Sequence, residues 1–245
     1  MLADNFVWGA AAIHGKGPSI WDMMSRWPGK IVHGHTGDVA SDHYNRFLED
    51  VQLMGQIGLQ AYRLSISWSR VLPAGKGTVN EKGLDFYDRL IDALLAADIT
   101  PWVTLFHWDY PYALHLEGGW LNPASPQWFA DYTRLLVDRL SDRVTQWITL
   151  NEPQVFISAG YRDGSHPPGF QLDTPELLQV AHNALLAHGR AVQVIRAQAR
   201  KPPQIGISLV GFVGVPASDS PQDIEAARHY AFDLEGPRFK NTWFS

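Results

Sequence analysis

The sequence contains no cysteine, which excludes disulfide bonds and thiolate chemistry and fits a reducing compartment. It also lacks any apolar run approaching the ~20 residues that a membrane-spanning helix needs. Its first residues show neither the basic nor the apolar region of a secretory signal. These absences predict a soluble chain that is cytoplasmic and has no membrane partner.

Basic clusters are absent as well. The chain has 20 Lys and Arg against 25 Asp and Glu, for a net charge of -5. Proteins that bind nucleic acid usually carry a concentrated positive patch. We therefore expect no nucleic-acid partner.

What the chain does have is the composition of a globular domain. Of its 245 residues, 45% are hydrophobic and 18% are charged, which is enough for a substantial core. Ten tryptophans and eight tyrosines give weak support to a carbohydrate ligand, because flat amphipathic rings pack on sugar faces as well as in cores.

Apolar, β-rich runs alternate with stretches of helical period, a pattern typical of βαβ units and a parallel sheet. Strands are predicted at residues 6–11, 61–68, 100–107, 144–148 and 204–209. Helices are predicted over residues 41–57, from a cap at Asn80, from a cap at Ser125, over 174–199 and over 221–234, and an aromatic segment follows at 239–244. Two of these helices have an apolar face. In the first it comprises Tyr44, Phe47, Leu48, Val51 and Met54, and in the second Leu84, Tyr87, Leu90, Ile91 and Leu94.

The count of strands bears on the fold class. An eight-stranded β/α barrel takes about 250 residues, yet only five strands fit here because the connecting loops are long. We therefore expect an α/β fold of the (β/α)8 TIM-barrel type, truncated to about the first five β/α units, with residues 1–245 forming one partial domain. Such a partial barrel has open sheet edges, which favour association.

The segment TLNEP at residues 149–153 is the strongest functional signal. It places Glu152 directly after a buried strand, beside the amide of Asn151 and before Pro153. In barrel enzymes the chemistry occurs at this end of the strands. Glu152 is thus the best candidate for an acid/base residue, although a solvated loop carboxylate would give the same pattern.

At this point the chain resembles a known family, glycoside hydrolase family 1, the β-glucosidase group. Eight stretches match in order over nearly the whole chain. They are FVWGAA (6–11), PSIWD (18–22), GDVASDHY (37–44), YRLSISWSRVLP (62–73), LFHWDYP (105–111), GGW (118–120), TLNEP (149–153) and AHN (181–183).

The resemblance implies a role for each of five residues. Glu152 matches the general acid/base, and Asn151 matches the residue that hydrogen-bonds the sugar 2-hydroxyl. His107 and Trp108 match the pair that binds glycone hydroxyls. Arg63 matches an arginine that orients the nucleophilic carboxylate and keeps it ionised. No cofactor is implied, because two carboxylates and water suffice.

The sequence also departs from the family pattern. Residues 12–17 stand where a Gln-Ile-Glu-Gly-like segment is expected, and Val210 stands where an amide is expected. The nucleophile motif, Thr-Glu-Asn-Gly, and the tryptophan-rich eighth strand have no counterpart. A retaining glycosidase needs two carboxyl groups about 5–5.5 Å apart. Four other acids were weighed as the second carboxylate and none fits well: Asp109, Glu117, Asp163 and Glu235.

A metal site is not expected. His33, His35 and His43 lie near one another in sequence, but their spacing is loose and no further ligand follows at a characteristic interval.

The favoured function is a retaining β-glucosidase that acts on small β-glucosides and carries only the acid/base half of its site. Two alternatives stay open. One is a non-catalytic half-barrel remnant or assembly partner, and the other is an incomplete form of a longer β-glycosidase. The expected partners are a small β-glycoside and either a second copy of the chain or a complementing C-terminal fragment.

Overall fold

The computed structural model describes residues 16–211 and 213–232. In this part of the chain, strands and helices alternate. The strands are β1 (Ala61–Ser65), β2 (Thr100–Phe106), β3 (Gln146–Asn151) and β4 (Gln204–Ser208). The helices are α1 (Ile20–Met24), α2 (His43–Gln56), α3 (Trp68–Val71), α4 (Glu81–Ala96), α5 (Tyr112–Leu116), α6 (Ser125–Leu140), α7 (Pro153–Ile157), α8 (Thr174–Gln198) and α9 (Pro221–Phe232).

The four strands form one parallel sheet in the order β1-β2-β3-β4. Each strand pairs with the next one along the chain, and helices cross between them. This is the topology of a barrel wall, in which the carboxyl ends of all strands meet at one edge.

The two faces of the sheet differ in burial. One face packs beneath the helices, and its side chains include Leu64, Val103, Leu105, Trp147 and Thr149, all buried. The other face, here called the open face, is exposed or half-buried at most positions. It comprises Ala61, Arg63, Ser65, Thr100, Trp102, Thr104, Gln146, Ile148, Gln204 and Gly206. In a closed barrel this face lines the lumen.

Four of the five predicted strands are confirmed, and the first, at residues 6–11, lies outside the described residues. The strand predicted at 144–148 begins at Gln146 and continues to Asn151. The strands predicted to end at residues 68 and 107 stop at Ser65 and Phe106. After β1 the chain continues into α3, and after β2 it continues into a loop. His107 and Trp108 therefore lie at the rim of the sheet and not within β2.

The helical stripe of α4 is confirmed, because its predicted apolar side chains are all buried: Leu84, Tyr87, Leu90, Ile91 and Leu94. Two other details were wrong. Ala124, not Ser125, occupies the N-cap position of α6, and Ser125 is the first helical residue. Leu48, predicted on the apolar face of α2, is 63% exposed, whereas Phe47 and Val51 are buried and Tyr44 and Met54 pack partly buried against the core.

The helix predicted at 221–234 is α9, and the aromatic segment at 239–244 lies outside the described residues. Within the described part, no helix combines the length and apolarity needed to cross a bilayer.

Candidate active site

The five residues singled out from the sequence come together at the carboxyl edge of the sheet. Arg63 lies on β1, His107 and Trp108 follow β2, Asn151 ends β3, and Glu152 comes next. Hydrogen bonds or charge interactions join each of them to another member of the group. Parallel strand ends converge in this way whenever a barrel builds its site.

Arg63 lies at the centre of the group and spans three strands. Its Nε donates to Thr104 Oγ1 on β2 at 3.0 Å, and its Nη2 donates to Asn151 Oδ1 on β3. Burial lowers the pKa of the Arg63 guanidinium, while the charge of Glu152 acts in the opposite direction. The arginine stays charged, because a guanidinium does not lose its proton in proteins.

Asn151 reaches Arg63 because the β3–β4 register shifts. Ile148 pairs with Gly206, yet Asn151 pairs with Ser208 instead of Leu209, one residue short of an unbroken ladder. Strict alternation would place Asn151 on the covered face. A β-bulge re-aims side chains in this manner, and here it places the Asn151 amide beside the guanidinium of Arg63 on the open face.

Glu152 and Trp108 both hold left-handed backbone conformations. The φ angle is 44° at Glu152 and 77° at Trp108. Such conformations are costly for residues other than glycine and concentrate at functional sites. The Glu152 amide donates to Ser208 O at 2.7 Å, and the Trp108 indole donates to Asn151 O at 2.7 Å. These bonds anchor the two strained residues to neighbouring strands.

His107 is partly buried at the end of β2. Burial, followed by the positive charge of Arg63, lowers its pKa from 6.5 to about 4. The imidazole is therefore neutral at pH 7, with one N–H donor and one nitrogen acceptor. A group of that kind suits hydroxyls, which both donate and accept.

The loop that carries His107 and Trp108 is held by the segment at residues 17–22, which includes the family-matching stretch PSIWD but received no role from the sequence. The amide of Ile20 donates to Tyr110 O at 2.9 Å, and the amide of Tyr112 donates to Pro18 O at 2.9 Å. A side chain at Gly17 would meet Pro73 O at 1.9 Å, so only glycine fits where this segment crosses.

A buried charge cluster underlies the same loop. Lys16, 1% exposed, pairs with Asp22 at 2.5 Å, and both interact electrostatically with Asp109. Burial raises the pKa of Asp109 to about 7, although Ser67 and Lys16 oppose the rise. The sequence did not predict that Lys16 is buried. Its partner Asp22 also belongs to the capping box of α1, which is the role that the local sequence suggests for it.

The other acids weighed as the second carboxylate are engaged elsewhere. Glu117 forms an exposed ion pair with Lys76 at 2.6 Å, and Asp163 is exposed on the loop before α8. Glu235 lies outside the described residues. Over residues 16–211 and 213–232, no carboxylate lies within ion-pair distance of Arg63.

Histidines do not form a ligand cluster in the described part of the chain. The rings of His33 and His35 are 5.8 Å apart, but His43 instead pairs with Asp50. No group of three or more metal-binding side chains occurs among these residues.

Thr104 is a further residue that sequence reasoning missed. It is fully buried on the open face, where most neighbours are exposed, and its hydroxyl accepts from Arg63. A polar side chain within the apolar run of β2 was the available signal. It gave no indication of the partner, which lies 41 residues away.

Comparison with known proteins shows which family the chain belongs to. The family model described as glycosyl hydrolase family 1 matches residues 2–245. The chain belongs to glycosyl hydrolase family 1. It is 47% identical over 235 residues to β-glucosidase A of Thermotoga maritima, covering 92% of this chain and 52% of that relative. It is 46% identical over 235 residues to a 1,4-β-D-glucan glucohydrolase of Thermotoga neapolitana, covering 92% and 55%.

Solved family 1 structures match the fold. The T. maritima family 1 β-glucosidase superimposes with a TM-score of 0.85 at 48% identity, covering 91% of this chain and 50% of that one. The same enzyme in complex with glucoimidazole gives a TM-score of 0.85 at 48% identity, with equal coverage. This family 1 chain therefore spans about half the length of the relatives it matches. Its four-stranded parallel sheet is part of a (β/α)8 barrel, as the sequence predicted.

Proposed function

We propose that this chain supplies the acid/base half of a retaining β-glucosidase that hydrolyses small β-glucosides. The observation that carries the proposal is the contact of Arg63 with Asn151 beside Glu152, at the rim formed by the ends of β1, β2 and β3. It places a carboxylate, an amide donor and a fixed cation within one small region. Family membership and the names of the relatives support the substrate class.

In the proposed reaction a second carboxylate attacks the anomeric carbon as Glu152 gives its proton to the departing oxygen. Water then attacks the glycosyl-enzyme ester, Glu152 takes the proton from that water, and the second carboxylate leaves. His107 hydrogen-bonds glycone hydroxyls and Asn151 hydrogen-bonds the 2-hydroxyl. Trp108, whose single N–H donates to Asn151 O, contributes its ring to the glycone site. Arg63 orients the second carboxylate. Its charge is available for this role, because no described carboxylate forms an ion pair with it.

We propose that a complementing C-terminal fragment provides this second carboxylate. Two observations support that partner over a second copy of the chain. The relatives are about twice as long as this chain, and further parallel strands would add at the open face and at the edge of β4 that no described strand covers. The cytoplasmic location stays a prediction.

The test is hydrolysis of a 4-nitrophenyl β-glucoside by the purified chain, alone and mixed with the C-terminal half of the T. maritima enzyme. Activity is expected only in the mixture and is expected to fall at least 100-fold in Glu152→Gln, which keeps the shape and removes the acid. Equal activity in the Gln variant would overturn the role of Glu152. Activity of the chain alone would overturn the need for a complementing fragment.

A further inference from the structure

Asn151 is 2% exposed, and two of its polar groups already have partners. Its backbone carbonyl accepts from the Trp108 indole at 2.7 Å, and its side-chain carbonyl accepts from Arg63. A guanidinium can only donate, so the amide oxygen must face Arg63 and the amide nitrogen must face away. Within the described part of the chain, the amide nitrogen of Asn151 donates no hydrogen bond.

Asn151 can hold this orientation only if Arg63 stays in place. An arginine side chain has several rotatable bonds and loses much rotamer entropy when it is immobilised. Its position on the exposed open face offers little packing to do so. Besides its bond to Asn151, the Arg63 guanidinium makes one other hydrogen bond to a described residue, from Nε to Thr104 Oγ1 at 3.0 Å.

Thr104 is suited to this task because it is immobile itself. It is fully buried, and its β-branched side chain is restricted at χ1. Ser65 on β1 and Ile148 on β3 are its register partners, so it lies in the middle of the three strands that Arg63 spans.

We propose that Thr104 is a positioning residue for sugar binding. Thr104 accepts a hydrogen bond from Nε of Arg63 and so fixes the position of the guanidinium. The guanidinium in turn binds the side-chain oxygen of Asn151, which leaves the amide nitrogen facing the ligand. The inference deepens the proposed function and rests on it for the identity of the ligand. It follows that the sugar position facing Asn151 must present a hydrogen-bond acceptor, which a hydroxyl oxygen does and an ammonium group does not.

The test is nuclear magnetic resonance of the 15N-labelled 245-residue chain, which needs neither turnover nor a complementing fragment. The Arg63 Nε–H signal is identified by its loss in Arg63→Lys, and the Asn151 amide signal by its loss in Asn151→Asp. Thr104→Val keeps the shape and removes the hydroxyl, whereas Thr104→Ser keeps the hydroxyl and removes the methyl.

In Thr104→Val we expect solvent exchange of the Arg63 Nε–H to rise at least tenfold and the Asn151 Nδ2 signal to shift. In Thr104→Ser both should stay near their original values. Unchanged signals in the Val variant, or equal changes in both variants, would overturn the proposal. Failure of the proposed function is detected separately, by the hydrolysis assay with Glu152→Gln, because that assay reports on the acid and not on the hydrogen bonds of Thr104, Arg63 and Asn151.

Discussion

The indole of Trp108 donates a 2.7 Å hydrogen bond to the backbone carbonyl of Asn151, so a loop after β2 is fastened to the end of β3. Trp108 has a strained left-handed backbone conformation, and so does Glu152, the residue directly after Asn151. Strain of this kind persists only where surrounding contacts over-determine it. The Trp108–Asn151 bond is one such contact, and it links the loop after β2 to the end of β3.

Replacing Trp108 with Phe should therefore destabilise the chain. Phenylalanine keeps the six-membered ring and removes the pyrrole ring with its N–H, so the buried carbonyl of Asn151 loses its donor, which costs about 1–3 kcal/mol. Chemical denaturation of the 245-residue chain measures the change. Trp102→Phe is the matched control on the exposed open face and should cost less than about 0.5 kcal/mol. Equal losses in the two variants would show that the indole bond contributes nothing.

Asn151→Asp separates the two halves of the amide. The carboxylate keeps an oxygen toward Arg63, so the free energy of unfolding at pH 7 should stay the same or rise. The donor toward the sugar is lost, so kcat/KM for an aryl β-glucoside in the complemented enzyme should fall at least tenfold. A variant that keeps full activity would contradict the assignment of Asn151 as a donor to the ligand.

Asp109 makes stability depend on pH in the neutral range. Its pKa in the folded chain is about 7, above the usual 3.8, so folding takes up a proton between these values. The stabilising contribution is full below about pH 4 and is lost as the pH rises through 7. The rise in pKa corresponds to at most about 4 kcal/mol, at 1.36 kcal/mol per pKa unit.

Asp109→Asn removes this dependence while keeping the shape. Denaturation between pH 4 and 8 should show the variant gaining on the original chain as the pH increases, with the largest gain above pH 7. Subtracting the two curves cancels the contribution of the histidines. Asp163→Asn, at an exposed loop position, should give no such trend. A constant difference across the range would refute the buried-acid interpretation of Asp109.

The sequence predicted the parts of the structure that depend on local pattern. Apolar runs located β1 to β4, and the position of Glu152 after β3 located the site. It could not predict contacts made across the sheet. The bond between Arg63 and Asn151 joins residues 88 apart and depends on a register shift that leaves no local pattern. Lys16 pairs with Asp22 only six residues away, but burial of its side chain depends on tertiary packing that no local pattern indicates.

The open face leads to a prediction about association. Trp102 is 41% exposed on it, and the edge of β4 presents backbone groups that no described strand pairs with. Exposed apolar side chains beside an open edge favour pairing with another chain. We expect the isolated chain to sediment as a mixture whose average mass rises with concentration.

Trp102→Lys should weaken that association at least tenfold, because a charge in the paired lumen would have to be desolvated. Val213→Lys is the control, since Val213 is 84% exposed but belongs to none of the four strands. Adding the C-terminal half of the T. maritima enzyme should also suppress self-association, because both partners would compete for one face. A chain that stays monomeric at all concentrations, or that associates equally in both variants, would show that the open face is not the surface through which copies meet.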